Sequence, residues 1–253
     1  MTRHFTYLDT PCPIAFAHRG GALEAEENTL AAFKQAADLG YRYIETDVQA
    51  TRDGVAVVFH DESLERLTNA QGFVSNYSWA ELNHVRTKGG QAIPCLEEVL
   101  DAFPGQLFNI DPKSDLVVEP LAQAITVCNA VPRVCVASFD GGRVRRLRRL
   151  LGKDLCWAPG HKGVASLWLS AHGVKLPTGF PTVQVPPRYK GIPLVTSRLV
   201  HTARKRGVQV HVWTIDEEDE MERLLDLGVD GIMTDRPSLL KEVLVRRNQW
   251  QGG

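Results

Sequence analysis

The sequence has no long hydrophobic run. Its apolar stretches are a handful of residues each, such as Val55–Phe59, against the ~20 that span a bilayer as a helix. The N-terminal residues offer neither the apolar stretch nor the small-residue cleavage site of a secretory signal. Cysteine is scarce and unpatterned. The five (Cys12, Cys95, Cys128, Cys135, Cys156) are odd in number, widely spread and form no CxxC. That excludes a disulfide framework and a thiolate zinc site, and fits free, buried thiols in a reducing cytoplasmic compartment. No sign of charge dominates, since 29 Lys plus Arg face 30 Asp plus Glu for a net charge of -1. Nucleic acid is therefore not an expected partner, nor is stable membrane association. Neither GxGxxG nor a P-loop pattern occurs anywhere, so the phosphate loops of doubly wound nucleotide-binding folds are missing.

What is present is ordinary globular composition, 43% hydrophobic and 23% charged over 253 residues, which excludes a disordered or fibrous chain. The dominant signal is strand–helix alternation. Short apolar runs at Ile14–Ala17, Tyr43–Val48, Val55–Phe59, Leu107–Ile110, Val134–Ala137, Leu155–Trp157, Thr182–Val185, Val208–Trp213 and Gly231–Met233 read as strands. Amphipathic segments near 30–39, 96–103, 117–130, 142–151, 164–172, 197–207, 218–227 and 238–247 read as helices. Nine strands are one too many for an eight-stranded barrel. The link Thr51-Arg52-Asp53-Gly54 resolves the excess, because a DG turn of that length closes a hairpin and cannot host a parallel crossover. Val55–His60 is therefore expected to fold back antiparallel on Tyr43–Ala50. The remaining eight βα units predict an α/β TIM (β/α)8 barrel as a single domain over 1–253, with an open doubly wound sheet as the runner-up. Residues 61–94 break the rhythm, and their aromatics (Phe73, Tyr77, Trp79) predict an inserted loop over the barrel mouth.

In such a barrel, polar residues at the C-terminal ends of strands gather at one rim. His18 and Arg19 close the first strand, and Asp111 and Lys113 the strand after the insertion. Glu45 and Asp47 are two residues apart on one strand, so both carboxylates share a face. The hairpin brings His60 back beside Glu45. Singly, each of these is an unremarkable turn or ion pair. Together, three carboxylates, two histidines, an Arg and a Lys at one rim are costly without a task. Oxygen ligands of this kind suit Mg²⁺ or Ca²⁺ rather than zinc. The two cations suit a phosphate.

Ala17-His18-Arg19-Gly20, Glu27-Asn28-Thr29, Glu45-Thr46-Asp47-Val48, Phe59-His60-Asp61, Asn109-Ile110-Asp111-Pro112-Lys113, Pro94–Leu100, Ser138-Phe139-Asp140, Val212-Trp213-Thr214 and Gly231–Pro237 together resemble the glycerophosphodiester phosphodiesterase family of phospholipase-C-like TIM barrels. The likeness runs in order from about residue 14 to 237. It implies hydrolysis of glycerophosphodiesters to sn-glycerol 3-phosphate and an alcohol. Position by position, it implies one divalent cation held by Glu45, Asp47 and Asp111. His18 and His60 take the acid and base roles, and Arg19 and Lys113 bind phosphate. Two departures stand out. Asp111 occupies a position that the family fills with Glu, and Asp140-Gly141-Gly142 follows Ser138-Phe139.

Gln184 and Trp213 fall near strand ends and are expected to contact substrate, with Phe139 either there or in the core. His4, His84, His161, His172, His201 and His211 have no partner pattern and read as structural or surface residues. The Arg-rich segment 143–149 reads as a solvated outer helix, not a nucleic-acid patch. Lysophospholipase D action on a lipid is one alternative, and a non-catalytic anion-binding barrel is another. The polar residues among the insertion's aromatics favour a wall for glycerol over a lipid anchor, and so a water-soluble, deacylated substrate.

Overall fold

The computed structural model describes residues 4–11 and 13–252, so Cys12 lies outside the described residues. Its strands are β1 (Ile14–His18), β2 (Tyr43–Ala50), β3 (Ala56–Val58), β4 (Leu107–Pro112), β5 (Val134–Val136), β6 (Cys156–Trp157), β7 (Thr182–Val185), β8 (Arg188–Tyr189), β9 (Ile192–Pro193), β10 (Gln209–Val212) and β11 (Gly231–Thr234). Among the described residues, eight run parallel in the order β6-β5-β4-β2-β1-β11-β10-β7, which is a (β/α)8 barrel. No ladder joins β6 to β7 among those residues, so the barrel is nearly closed, with one seam. The expected hairpin is present, with β3 antiparallel to β2 and Val48 opposite Val58.

Period-two alternation divides each strand between two cores. Ile44, Val48 and Ala50 of β2 face the helical layer with Phe108 and Ile110 of β4. Tyr43 turns inward to a layer with Phe16, Cys135, Cys156 and Met233. All eight residues of β2 are buried, as expected for a parallel strand covered on both faces. Tyr7 caps the bottom, where the Tyr43 hydroxyl donates to its carbonyl at 2.6 Å. Polar inward residues therefore appear only toward the C-terminal ends: His18, Glu45, Asp47, Asn109, Asp111 and Gln184.

Below that level the exceptions are His211 and Gln209 on β10 and Thr182 on β7, which contact one another, and His211 is the titratable one of the three. It has no solvent exposure, and its ring nitrogens contact Thr182 Oγ1 at 3.2 Å and Gln209 Oε1 at 3.0 Å. Burial pushes its pKa down to about 3. The unfolded chain protonates this imidazole near ~6.5, so between these values the unfolded state binds more protons. Stability is then present above ~6.5 and lost as pH falls toward 3, at up to about 1.4 kcal/mol per pH unit. Urea melts from pH 7 to 4 are expected to show this slope, and His211→Gln to flatten it. An unchanged slope in the variant rules His211 out as the cause.

The helices α1 (Leu30–Asp38), α2 (Trp79–Leu82), α3 (Leu96–Ala102), α4 (Val118–Val127), α5 (Gly141–Leu151), α6 (His161–Ala171), α7 (Ser197–Lys205), α8 (Glu218–Asp226) and α9 (Pro237–Arg246) follow the expected segments, apart from the short α2. Thr29 caps α1 by accepting from the Ala32 amide at 3.1 Å. In the Arg-rich α5, Val144 and Leu147 are buried, while Arg143 and Arg146 pair with Asp115 and Glu119. The outer-helix reading holds. Cys135 and Cys156 are buried and all four described cysteines are free, but Cys95 and Cys128 are only half-buried.

The insertion differs from expectation. It folds its own small core, with Leu64, Val74, Leu82, Val85 and Ile93 packed on Val57 and Phe59. Among the described residues, the wall of the large cavity at the barrel mouth includes none of Phe73, Tyr77 and Trp79. That mouth is bordered instead by α6 and by the hairpin β8–β9, which the strand pattern did not reveal. The hairpin turns at Lys190-Gly191, both at positive φ (48° and 82°), as a two-residue type I′ turn requires.

Candidate active site

The turn after β1 aims Arg19 back over the barrel. Arg19 itself takes a left-handed φ of 52°, a conformation costing a non-glycine residue about 1 kcal/mol or more. Gly20 follows at φ 85°, and a Cβ there would lie 2.8 Å from the Ala32 Cβ, so neither the angle nor the space admits a side chain. The strain is offset by what Arg19 gains. Its backbone N–H donates to Glu45 Oε2 at 3.2 Å, and its guanidinium reaches Glu27 at 2.9 Å and Asp47 at 3.0 Å.

Asp47 is the hub. Lys113 Nζ lies 2.7 Å from Asp47 Oδ1 and 2.8 Å from Asp111 Oδ2, and Asn28 donates to Asp47 Oδ2 at 3.0 Å. Asn28 also accepts from Thr46 Oγ1 at 2.7 Å, so a residue at φ 59° is locked by two side chains of β2. Burial alone would raise the Asp47 pKa, but Lys113, Arg19 and His60 outweigh it and hold the group below the usual carboxylate range. Burial raises Asp111, against the pull of Lys113. Glu45 is pushed up to about 7 by burial and by the neighbouring Asp47 charge. The rim therefore holds one carboxylate whose charge is poorly compensated.

Each predicted histidine is held by a carboxylate. His18 Nδ1 is 2.6 Å from Asp235 Oδ1, with Nε2 3.6 Å from Glu45 Oε2. Burial opposes charge on His18, but Glu45 and Asp235 overcome it and raise the pKa. His60 Nδ1 is 2.6 Å from Asp61 Oδ1. Asp61 is itself held down to about 2, chiefly by Arg66. Arg66 also grips Glu27 at 2.9 Å, so a relay of charges runs from His60 through Asp61, Arg66 and Glu27 to Arg19.

His18, Arg19, Glu45, Asp47, His60, Asp111, Lys113, Gln184 and Trp213 all line one cavity of about 760 Å³ at the C-terminal end of the barrel. Every residue singled out for the site is thus in one place. Gln184 reaches it paired with Asn109 across the interior, at 2.6 and 3.2 Å. Phe139 stands in the wall rather than the core, 57% exposed, edge-on to Trp213 at 5.6 Å and stacked on His161 at 5.2 Å. His161, read as structural or surface, is therefore part of the cavity. Asp235, Asn28, Glu27 and Asp61 were legible only as motif letters, and Arg66 not at all.

Among the described residues, no group of three or more His, Cys, Asp or Glu side chains is arranged to hold a metal ion; the Lys113 ammonium stands between Asp47 and Asp111. The donor chemistry still fits a hard divalent cation. Three carboxylates share the rim, and two of them, Glu45 and Asp47, are buried neighbours, with burial first and their mutual repulsion second in raising the Glu45 pKa.

Residues 18–239 match the model of the glycerophosphoryl diester phosphodiesterase family. The chain belongs to that family. It is 42% identical to a probable glycerophosphodiester phosphodiesterase 2 of Mycobacterium tuberculosis, covering 94% of this chain and 93% of that one. It is 34% identical to a glycerophosphodiester phosphodiesterase of Caldanaerobacter subterraneus, covering 90% and 96%. In fold it is similar to a phosphodiesterase of Oleispira antarctica solved with the product sn-glycerol-3-phosphate, at 21% identity and a TM-score of 0.78, covering 92% and 97%. With the family goes the enzymatic reading, and the chain is a phosphodiesterase. The anion-binding alternative falls away.

Proposed function

We propose that this phosphodiesterase hydrolyses glycerophosphodiesters to sn-glycerol 3-phosphate and an alcohol, with His18 and His60 as the acid–base pair and a divalent cation at Glu45, Asp47 and Asp111. The observation that carries it is that each histidine commits Nδ1 to a carboxylate at 2.6 Å, which leaves Nε2 for proton transfer in a shared cavity that also holds Arg19 and Lys113. When bound, the cation would supply charge stabilisation for the phosphoryl oxygens. Arg19 and Lys113 add fixed positive charge where the transition state builds negative charge. One histidine removes the proton from the attacking hydroxyl as the O–P bond forms. The other protonates the departing alkoxide as its P–O bond breaks. With the neighbouring glycerol hydroxyl as the attacker, the first product is a cyclic phosphate, and water opens it in a second step.

The reaction is tested by incubating the purified protein with glycerophosphocholine and glycerophosphoethanolamine, with and without Mg²⁺ or Ca²⁺, and measuring glycerol 3-phosphate. No release with any ion overturns the reading. Arg19→Ala and Lys113→Ala are expected to lower kcat/KM by about 10²-fold or more, as loss of a charge-stabilising donor does. Activity close to wild type in both would remove them from phosphate binding. Among the described residues, no helix is long and apolar enough to cross a membrane.

A further inference from the structure

The insertion contributes no wall to the cavity, since among the described residues nothing between His60 and Asn109 lines it. One of its charged side chains nevertheless reaches the site. Arg66 sits on a turn pinned from both sides. Leu64 is fully buried, Thr68 Oγ1 donates back to the Leu64 carbonyl at 2.8 Å, and the Lys88 amide donates to the Leu67 carbonyl at 2.8 Å. From that turn the guanidinium fills two of its edges with carboxylates. Nη1 and Nη2 donate to Glu27 Oε2 and Oε1 at 3.0 and 2.9 Å, while Nε and Nη2 donate to Asp61 Oδ2 and Oδ1 at 2.5 and 3.0 Å. Four of the five N–H donors of an arginine are thereby committed in two bidentate forks, a geometry that a lysine ammonium cannot supply.

Each carboxylate is bonded on its far side to a group of the site. Asp61 holds His60 Nδ1 at 2.6 Å, and Glu27 holds Arg19 Nη1 at 2.9 Å. Burial opposes charge on Glu27, but Arg66 and Arg19 together hold its pKa below the usual carboxylate range. A tether for the insertion is a weak reason for this arrangement. The Gly89 amide already fastens the insertion to the same loop, donating to Glu26 Oε1 at 2.8 Å. Exposed ion pairs also add little stability, and the Arg66 side chain is 47% exposed. What the two forks supply is orientation. Without them Asp61 and Glu27 face each other as like charges, each free to turn from the group behind it. Resting on the phosphodiesterase reading above, we propose that Arg66 is a positioning residue: through Asp61 and Glu27, one guanidinium outside the cavity sets the geometry of both His60 and Arg19. The insertion serves the reaction by this clamp, not by contact with substrate.

The test compares wild type, Arg66→Lys and Arg66→Ala at matched metal and below the melting temperature of each. It measures kcat and KM for glycerophosphoethanolamine, competitive inhibition by inorganic phosphate, which probes the Arg19 side of the site, and thermal stability. Misplacing reacting groups costs up to about 10²-fold, so Arg66→Lys is expected to lower kcat by about 10-fold or more although it keeps the charge. It is also expected to weaken inhibition by phosphate. The two arms separate in combination. Asp61→Asn alone should lower kcat, and Glu27→Gln alone should weaken phosphate inhibition. Arg66→Lys should then add little to whichever property each has already lost, because the two changes act through one group. A lower melting temperature with kcat and phosphate inhibition unchanged shows a merely structural tie and overturns the proposal. A loss confined to one of the two properties overturns it too, as does full additivity in both double variants. Arg66→Lys carries these outcomes where Arg66→Ala does not fold. A wild-type protein that releases no glycerol 3-phosphate overturns the phosphodiesterase reading, and the positioning role with it.

Discussion

His18→Ala and His60→Ala are each expected to lower turnover by on the order of 10²-fold or more, the usual cost of a lost proton transfer, with the protein still folded. Neither ring lies in an apolar core. His18 faces the cavity from the end of β1, and His60 stands after β3 with 32% of its side chain exposed. The loss should therefore appear in kcat without a matching drop in melting temperature. The carboxylates behind the rings sharpen the expectation. Asp235→Asn and Asp61→Asn keep a hydrogen-bonding group next to Nδ1 but remove the charge that orients the ring and selects its tautomer. Each is expected to lose activity by less than the histidine it serves, and to add little when combined with loss of that histidine, since both act through one ring. Additive losses in the double variants would separate the carboxylates from the histidines. Wild-type turnover in either alanine variant between pH 6 and 9 would remove that histidine from the mechanism.

The parts of this site that were readable in the sequence are those fixed by local geometry. Glu45 and Asp47 share a face because strand residues alternate. His60 arrives beside them because Asp53-Gly54 closes a tight hairpin, and the register that pairs Val48 with Val58 places His60 opposite Thr46. The fold followed from a count of strands once that hairpin was removed. What escaped depends on closure of the chain over long separations. Asp235 reaches His18 only because β11 pairs with β1, at a sequence distance of 217 residues. Arg66 clamps Glu27 across 39 residues, from an insertion with no periodic signal. The β8–β9 hairpin is too short for alternation to register, and its Lys190-Gly191 turn lacks the Asn-Gly or Asp-Gly pair that marks such turns most strongly. The mouth of the cavity at α6 and this hairpin is assembled by two segments that meet only when the barrel forms. Hydrophobic residues on α6 look the same in sequence whether they face a core or a cavity.

The largest effect is expected at the carboxylates. Glu45→Gln, Asp47→Asn and Asp111→Asn should each weaken binding of the cation and cut turnover steeply, and EDTA should abolish activity that Mg²⁺ or Ca²⁺ restores. The three are not equal in stability. Asp47 balances Lys113 and Arg19 in a buried setting, and removing one partner of a buried pair costs about 3–5 kcal/mol, so Asp47→Asn is expected to lower the melting temperature. Glu45 is the reverse case. Its pKa in the folded protein, about 7, exceeds the unfolded value of ~4.3. The folded state thus holds the extra proton between these values, and the stability this brings is present below ~4.3 and lost as pH rises through 7. In EDTA at pH 8, Glu45→Gln removes a buried, under-compensated charge and is expected to melt higher than wild type. Added Mg²⁺ or Ca²⁺ should then raise the melting temperature of wild type and leave that of Glu45→Gln nearly unmoved, because a ligand that binds only the folded state stabilises it in proportion to its affinity. This thermal readout separates ion binding from catalysis without relying on activity. Full turnover after exhaustive dialysis into EDTA, or equal stabilisation of wild type and Glu45→Gln by the ion, would overturn the assignment of the cation to these residues.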